Sequence, residues 1–142
     1  MRVCRTDSRT FRSISDVETP QGALALVRVP EFSLEALPLP DDALILFACG
    51  IQDPGNLGTL IRTAAAAGAS AVCTAKGTVL AGNPKSIRAS AGMYFRMPIL
   101  EHLEMPVFEQ YCANKGIQIY QTDVREGLPY TQVDLRSGSA II

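Results

Sequence analysis

The sequence predicts an α/β domain with a mostly parallel sheet and flanking helices. Continuous apolar runs of strand length recur along the chain, helix-start signals follow them, and glycines end the helices. A continuous rather than alternating apolar run indicates a strand covered on both faces, which is typical of parallel sheets. Strands that alternate with helices at this spacing are joined by right-handed crossovers.

The first strand of the sheet is predicted at residues 43–49, where every residue is apolar. The turn residues 53–55 follow, and the spacing predicts a helix over about 57–67. Gly68 ends this helix because glycine adopts the left-handed conformation at little cost. The second strand is predicted at residues 71–75.

The second half of the chain repeats the alternation. Asn83 is an N-cap acceptor, and Pro84 suits the first helical position because its missing N–H costs nothing there. The predicted elements are a helix to about residue 91 that ends at Gly92, a strand at 97–100, a helix from Pro106 to Gly116, and strands at 117–120 and from 140 onward.

The N-terminal part of the chain is organised differently. It is largely polar up to a predicted short strand at residues 23–29, and three prolines punctuate the stretch from 30 to 40. We therefore expect a domain boundary there, dividing residues 1–37 from residues 38–142.

Composition excludes several classes of protein. The chain is 47% hydrophobic and 19% charged, as expected for a globular domain with a core. It lacks an apolar run of the roughly 18 residues that a membrane span needs, and no signal-peptide pattern argues for export, so we expect a cytoplasmic protein without a membrane partner. The formal charge of −1 requires that any contact with nucleic acid uses a local basic patch.

Cysteine and histidine usage gives no sign of a metal site. The four cysteines are widely spaced, and Cys49 and Cys73 fall inside apolar runs, so we expect buried, reduced thiols. The single histidine, His102, is expected at the surface.

The polar phrase that follows the first strand carries the candidate chemistry. Asn56 can cap the following helix, or it can instead present its amide to a ligand. A helix N-terminus favours a phosphate, and the planar guanidinium of Arg62 suits phosphate or ribose oxygens. The alternative is an ordinary capped helix with an exposed arginine.

Residues 51–68 resemble the first motif of the SpoU/TrmH family of RNA 2′-O-ribose methyltransferases, in the SPOUT superfamily. The asparagine, glycine and arginine of that motif correspond to Asn56, Gly58 and Arg62. Residues 83–92, with Phe95 and residues 97–99, are similar to the segment that follows in the family. Residues 19–22 resemble the join between a small RNA-binding domain and the catalytic domain.

This resemblance implies S-adenosylmethionine as the cofactor, ribosomal or transfer RNA as the partner, a SPOUT-like trefoil-knot fold and a homodimer. It implies that Asn56 and Arg62 are catalytic. Because a guanidinium stays protonated, we expect Arg62 to position the ribose and stabilise charge rather than act as a base.

Further candidates are assigned more loosely. Gln121, Thr122 and Asp123 leave the fourth strand at an edge where a cofactor can touch backbone, and they are candidate cofactor-binding residues, with a plain loop as the alternative. Lys85 and Arg88 are candidate RNA-binding residues, with an ordinary solvated face as the alternative.

The chain departs from the family pattern at both ends. Two later family motifs, which form the knot and most of the methyl-donor pocket, are not found, so we expect 38–142 to be the N-terminal part of the methyltransferase domain. Residues 1–37 are expected to be a remnant of the RNA-binding domain plus a linker. Such a piece is expected to be inactive alone and to bind S-adenosylmethionine weakly or not at all. The alternative function is a non-catalytic RNA-binding or dimerisation module that retains half of the fold.

Overall fold

The computed structural model describes residues 2–15 and 17–142, which fall into two compact units, Met1–Pro30 and Glu31–Ile142. The first unit contains helix α1 (Ser8–Ile14), whose N-cap Asp7 accepts hydrogen bonds from the amides of Arg9 and Thr10 at 2.9 and 2.8 Å. The predicted strand at 23–29 is wrong, because these residues have no strand partner among those described and are exposed. An apolar run forms a strand only where a neighbouring strand supplies its hydrogen bonds.

The second unit is built on a five-stranded parallel sheet, which confirms the predicted fold class. Its strands are β1 (Leu44–Ala48), β2 (Ala71–Ala75), β3 (Ile99–Leu103), β4 (Gln118–Tyr120) and β5 (Ser139–Ile141). Their order across the sheet is β3-β2-β1-β5-β4, and each neighbouring pair is parallel.

The third strand begins two residues later than predicted. The amide of Met97 donates to the carbonyl of Met93 at 3.1 Å, so Met97 still belongs to the preceding turn. Pro98 has no N–H and contributes only its carbonyl, which accepts from the amide of Val72 at 3.0 Å. The regular ladder therefore starts at Ile99.

Three helices flank the sheet: α2 (Pro54–Ala66), α3 (Pro84–Ala89) and α4 (Met105–Lys115). Gly68 and Gly116 follow α2 and α4 with φ of +79° and +67°, which confirms the predicted glycine stops. Helix α3 is shorter than predicted because Ser90 is its C-cap, and Gly92 instead precedes a 3-10 turn at Met93–Phe95. Among the described residues, no helix combines the length and apolarity needed to cross a membrane.

Two hydrophobic clusters cover opposite faces of the sheet, because successive side chains of a strand alternate between its faces. On one face Phe47 packs against Phe108 of α4 with ring centroids 4.3 Å apart, and Leu34 and Leu37 join this cluster. On the other face Leu57 and Ile61 of α2 lie in the second cluster. Both faces are thus apolar, as the continuous apolar strands predicted.

Two of the four cysteines, Cys4 and Cys49, are exposed, and the other two are buried. Cys73 and Cys112 are buried free thiols, and burial raises the pKa of Cys73 to about 12 and that of Cys112 to about 11. The prediction that Cys49 is buried is wrong: it is exposed because β1 ends at Ala48 and Cys49 is the first residue of the loop beyond. His102 is exposed, as predicted.

Candidate functional site at the carboxyl edge of the sheet

The strand order places a topological switch point beside β1. The chain adds β2 and β3 on one side of β1, then crosses to the far edge to form β4, and β5 fills the position between β4 and β1. In open parallel α/β sheets, ligands bind outside the carboxyl ends of the strands at such a point. The loops after β1 and β4 meet at this edge.

A cavity of about 520 Å³ lies at this edge. Its walls come from the end of β1 and the loop beyond it, from Leu60 of α2, and from the residues that leave β4. Gln121 and Thr122 line it, two of the three residues predicted to bind a cofactor. The Thr122 hydroxyl donates to the carbonyl of Ile142 at 2.8 Å.

Asp123, the third of those residues, has a local role in the structure. Its carboxylate accepts hydrogen bonds from the amides of Arg125 and Glu126 at 2.6 and 3.2 Å, forming a turn within the loop. These two bonds lower the pKa of Asp123 below its ordinary value.

Asp53 is the N-cap of helix α2, whose first helical residue is Pro54. The carboxylate of Asp53 accepts from the amide of Asn56 at 2.9 Å and pairs with the ammonium of Lys85 at 2.8 Å. The hydrogen bond from Lys85 and the one from the Asn56 amide lower the pKa of Asp53. The suggestion that Asn56 caps this helix is therefore wrong, because Asp53 already holds that position.

The side chain of Asn56 is consequently left for another role. It is exposed in the first turn of α2, and it takes no part in the hydrogen bonds found among residues 2–15 and 17–142. Arg62 is exposed on the same helix and is likewise absent from the ion pairs of the described residues. Helical geometry separates the two residues by about 9 Å along the axis and roughly 120° around it. Of the two side chains, only the long one of Arg62 can span this separation.

The two candidate RNA-binding residues lie on α3. Lys85 and Arg88 are both exposed and are three residues apart, which places them on one side of the helix. Lys85 is paired with Asp53, so its charge is partly neutralised, and the pair joins the first turns of α2 and α3. The structure thus brings Asp53, Asn56 and Lys85 together at these helix starts.

Close packing of α2 on α3 depends on Gly58, which is buried. A Cβ built on Gly58 would overlap the carbonyl oxygen of Ser86 and would lie 2.6 Å from the Cβ of Ala89. Glycine is therefore needed at position 58 because the backbone of α3 occupies the space that a larger side chain would need.

Sequence reasoning missed the residues that join the loop after β1 to the loop after β2. The Nε2 of Gln52 donates to the carbonyl of Gly77 at 2.6 Å, and the amide of Val79 donates to the carbonyl of Ile51 at 2.8 Å. Farther along, the carboxylate of Glu101 accepts from the amide of Ala81 at 2.6 Å. Of these residues, only Ile51 and Gln52 lie within a motif that the sequence singled out.

The fold and this edge define a class of protein: a parallel α/β domain with a cavity at a topological switch point. Residues 43–142 match the model of the SpoU rRNA Methylase family. The chain belongs to this family.

Known relatives agree with this assignment. The chain is 36% identical over 132 residues to the 23S rRNA (guanosine(2553)-2'-O)-methyltransferase RlmP of Bacillus subtilis, covering 93% of the chain and 51% of that protein. It is 42% identical over 113 residues to the human mitochondrial rRNA methyltransferase 3, covering 77% of the chain and 27% of that protein. The chain thus spans about half, or less, of the length of these relatives.

A solved structure shares the fold. The AdoMet-bound rRNA methyltransferase from Sinorhizobium meliloti superposes with a TM-score of 0.79 at 25% identity, covering 95% of this chain and 51% of that one.

Proposed function

We propose that the protein carrying this chain transfers a methyl group from S-adenosylmethionine (AdoMet) to a ribose 2′-hydroxyl of ribosomal or transfer RNA. The observation that supports this most strongly is the placement of the Asn56–Arg62 helix beside the cavity, in a member of the SpoU family. The B. subtilis relative bears the name of a 2′-O-methyltransferase acting on ribosomal RNA.

The volume and the lining of the cavity suit AdoMet as the methyl donor. Its volume of about 520 Å³ falls within the range of roughly 300–1,000 Å³ that small-molecule sites occupy. Apolar walls from Ala48, Ile51 and Leu60 suit a flat purine ring, and Gln121 and Thr122 offer polar groups at the margin. AdoMet, when bound, supplies an electrophilic methyl group on a sulfonium.

Asn56 and Arg62 act on the RNA side of the reaction. A ribose hydroxyl is a weak nucleophile, so it must be aligned and its developing negative charge must be stabilised. The Asn56 amide offers both a donor and an acceptor for ribose oxygens. Arg62 holds the neighbouring phosphate by two parallel hydrogen bonds and supplies positive charge, while a phosphate oxygen or a water takes the proton.

Lys85 and Arg88 extend this RNA surface along α3. With a net charge of −1, the chain lacks a general attraction for a polyanion, so a local pair of exposed cations is needed. Lys85 can leave Asp53 for an RNA phosphate because both partners of this ion pair are exposed and weakly held.

The remaining assignments are part of this proposal and are suggested by the resemblance to the family. Residues 38–142 are the first part of the methyltransferase domain, and residues 1–37 hold the end of an RNA-binding domain and its linker. The protein works as a homodimer in the cytoplasm. The chain spans about half the length of the B. subtilis relative.

The test is methyl transfer from isotopically labelled AdoMet to ribosomal RNA by the whole protein. Asn56→Ala and Arg62→Lys are expected to lower the transfer rate by 10-fold or more, as expected for groups that stabilise charge in the transition state. Lys115→Ala, an exposed charge in the last turn of α4, is the control and is expected to leave the rate unchanged. Full activity of Arg62→Lys would refute bidentate positioning by the guanidinium.

A further inference from the structure

The loop that leaves β1 is held by one buried hydroxyl. Thr78 lies in the loop after β2 and is 5% exposed. Its Oγ1 accepts a hydrogen bond from the amide of Gly50 at 3.1 Å and donates one to the carbonyl of Ala48 at 3.3 Å. One side chain therefore satisfies the backbone groups on both sides of Cys49.

This hydroxyl takes over where the sheet ends. Backbone pairing of β1 with β2 reaches Ala48, opposite Thr74, and Gly50 then turns the chain with φ of +65°. Beyond the turn the two loops join again through the Val79 amide and the Ile51 carbonyl. Between these points the backbone of β1 has left the strand direction, so a side chain must supply the missing partners.

The segment held in this way is a wall of the cavity. Ala48, Cys49 and Ile51 all line it, and Thr78 contacts the backbone on both sides of Cys49 from behind. Loss of the hydroxyl leaves a donor and an acceptor without their protein partner, which favours a local rearrangement of this wall. The adjacent Gln52–Gly77 bond cannot replace it because it lies farther along the loop.

We propose that Thr78 is a positioning residue for the methyl-donor cavity, acting through the backbone of residues 48–50 and not by contact with the ligand. The proposal rests on the proposed function for the identity of that ligand, AdoMet. The geometry of the wall is a property of this chain alone and can be tested without catalysis.

The experiment compares three variants of the whole protein that carries this chain. Thr78→Ser keeps the hydroxyl, while Thr78→Val keeps the shape and removes it. Thr74→Val is the matched control, because Thr74 is buried to 1% exposure and, within the part of the chain that the structure describes, its Oγ1 accepts only the His102 amide, at 3.4 Å. The thermal stability of each variant is measured first. Amide hydrogen exchange and AdoMet affinity are then measured at a temperature where all variants are folded.

Thr78→Val is expected to speed exchange of the Gly50 amide about tenfold and to weaken AdoMet binding by a similar factor, as expected for the loss of one such hydrogen bond. Thr78→Ser is expected to restore both, and Thr74→Val is expected to change stability without changing either. Equal Gly50 exchange and equal AdoMet affinity in Thr78→Val and Thr74→Val would overturn the proposal.

The two proposals fail in different ways. If the unaltered protein shows no AdoMet binding at millimolar concentration, the proposed function fails. The exchange rate of the Gly50 amide in Thr78→Val, compared with Thr74→Val, then decides whether Thr78 positions the wall.

Discussion

Replacing Gly58 by alanine tests how the motif glycine shapes this site. Gly58 lies in the middle of α2, where alanine is the better helix former by about 1 kcal/mol. Local helix preference therefore predicts a more stable protein. The packing of α2 on α3 predicts the opposite, because the new Cβ would overlap the Ser86 carbonyl oxygen and lie 2.6 Å from the Ala89 Cβ.

The packing effect is expected to dominate. An oversized group in a packed interior costs about 1–3 kcal/mol where neighbours can move, and more where they cannot. Here the obstacle is the backbone of α3, so the two helices must separate. We expect a net loss of roughly 1–3 kcal/mol in the free energy of unfolding, after the gain in helix preference, and a fall of about 4–12 °C in Tm.

Urea and thermal unfolding followed by circular dichroism measure this loss. Gly55→Ala is the comparison in the same helix: its new Cβ would meet Asp53 Oδ1 at 2.8 Å and Lys85 Cε at 3.3 Å, so it disturbs the side-chain cap but no backbone, and a smaller loss of stability is expected. Adding Ala89→Gly to Gly58→Ala removes one of the contacts and is expected to recover part of the stability. A Gly58→Ala protein as stable as the unaltered chain would refute the account of helix packing.

Two further predictions concern ionisable groups. The buried thiols Cys73 and Cys112 have raised pKa values, so folding favours their protonated forms; the stability they contribute is complete below about pH 9 and is lost as pH rises through about 11 to 12, as alkaline unfolding curves would record. In the folded chain, iodoacetamide is expected to modify the exposed Cys4 and Cys49 and spare both buried thiols. The lowered pKa of Asp53 means that its contribution to stability is present above about pH 4 and is lost as pH falls through the folded value. Asp53→Asn is expected to keep the helix cap but lose the pairing with Lys85 and this acid dependence, whereas Asp53→Ala loses the cap as well.

Clear outcomes contradict these predictions. Equal modification of all cysteines in the folded protein would show that Cys73 and Cys112 are accessible. An acid unfolding curve of Asp53→Asn identical to that of the unaltered chain would show that the Lys85 ion pair contributes nothing to folding, which is a frequent result for exposed pairs.

The sheet could be predicted because its signals are local. Continuous apolar runs, the Asn83–Pro84 pair and the glycines after α2 and α4 each depend on a few neighbouring residues, and the structure places strands and helices accordingly. The predicted strand at 23–29 is wrong because strand formation also depends on a distant partner, which a local apolar run does not reveal. Among the described residues, none pairs with it.

The candidate site was predictable only in part. Asn56 and Arg62 stand in a motif with a recognisable spacing, although the cap at Asp53 was missed because two acceptors lie close together at that helix start. Nothing near Thr78 in the sequence marks it, since its partners are backbone groups 28 and 30 residues away. The need for Gly58 likewise becomes visible only when α3 is in place.

The central claim is tested most directly by identifying the product of the reaction. Ribosomal RNA is incubated with labelled AdoMet and the whole protein, digested to nucleosides and analysed by mass spectrometry. We predict that the label appears on a ribose as a 2′-O-methyl nucleoside, and that Arg62→Lys strongly reduces it. Label found on a base, or equal 2′-O-methyl product with the Arg62→Lys protein, would contradict the account.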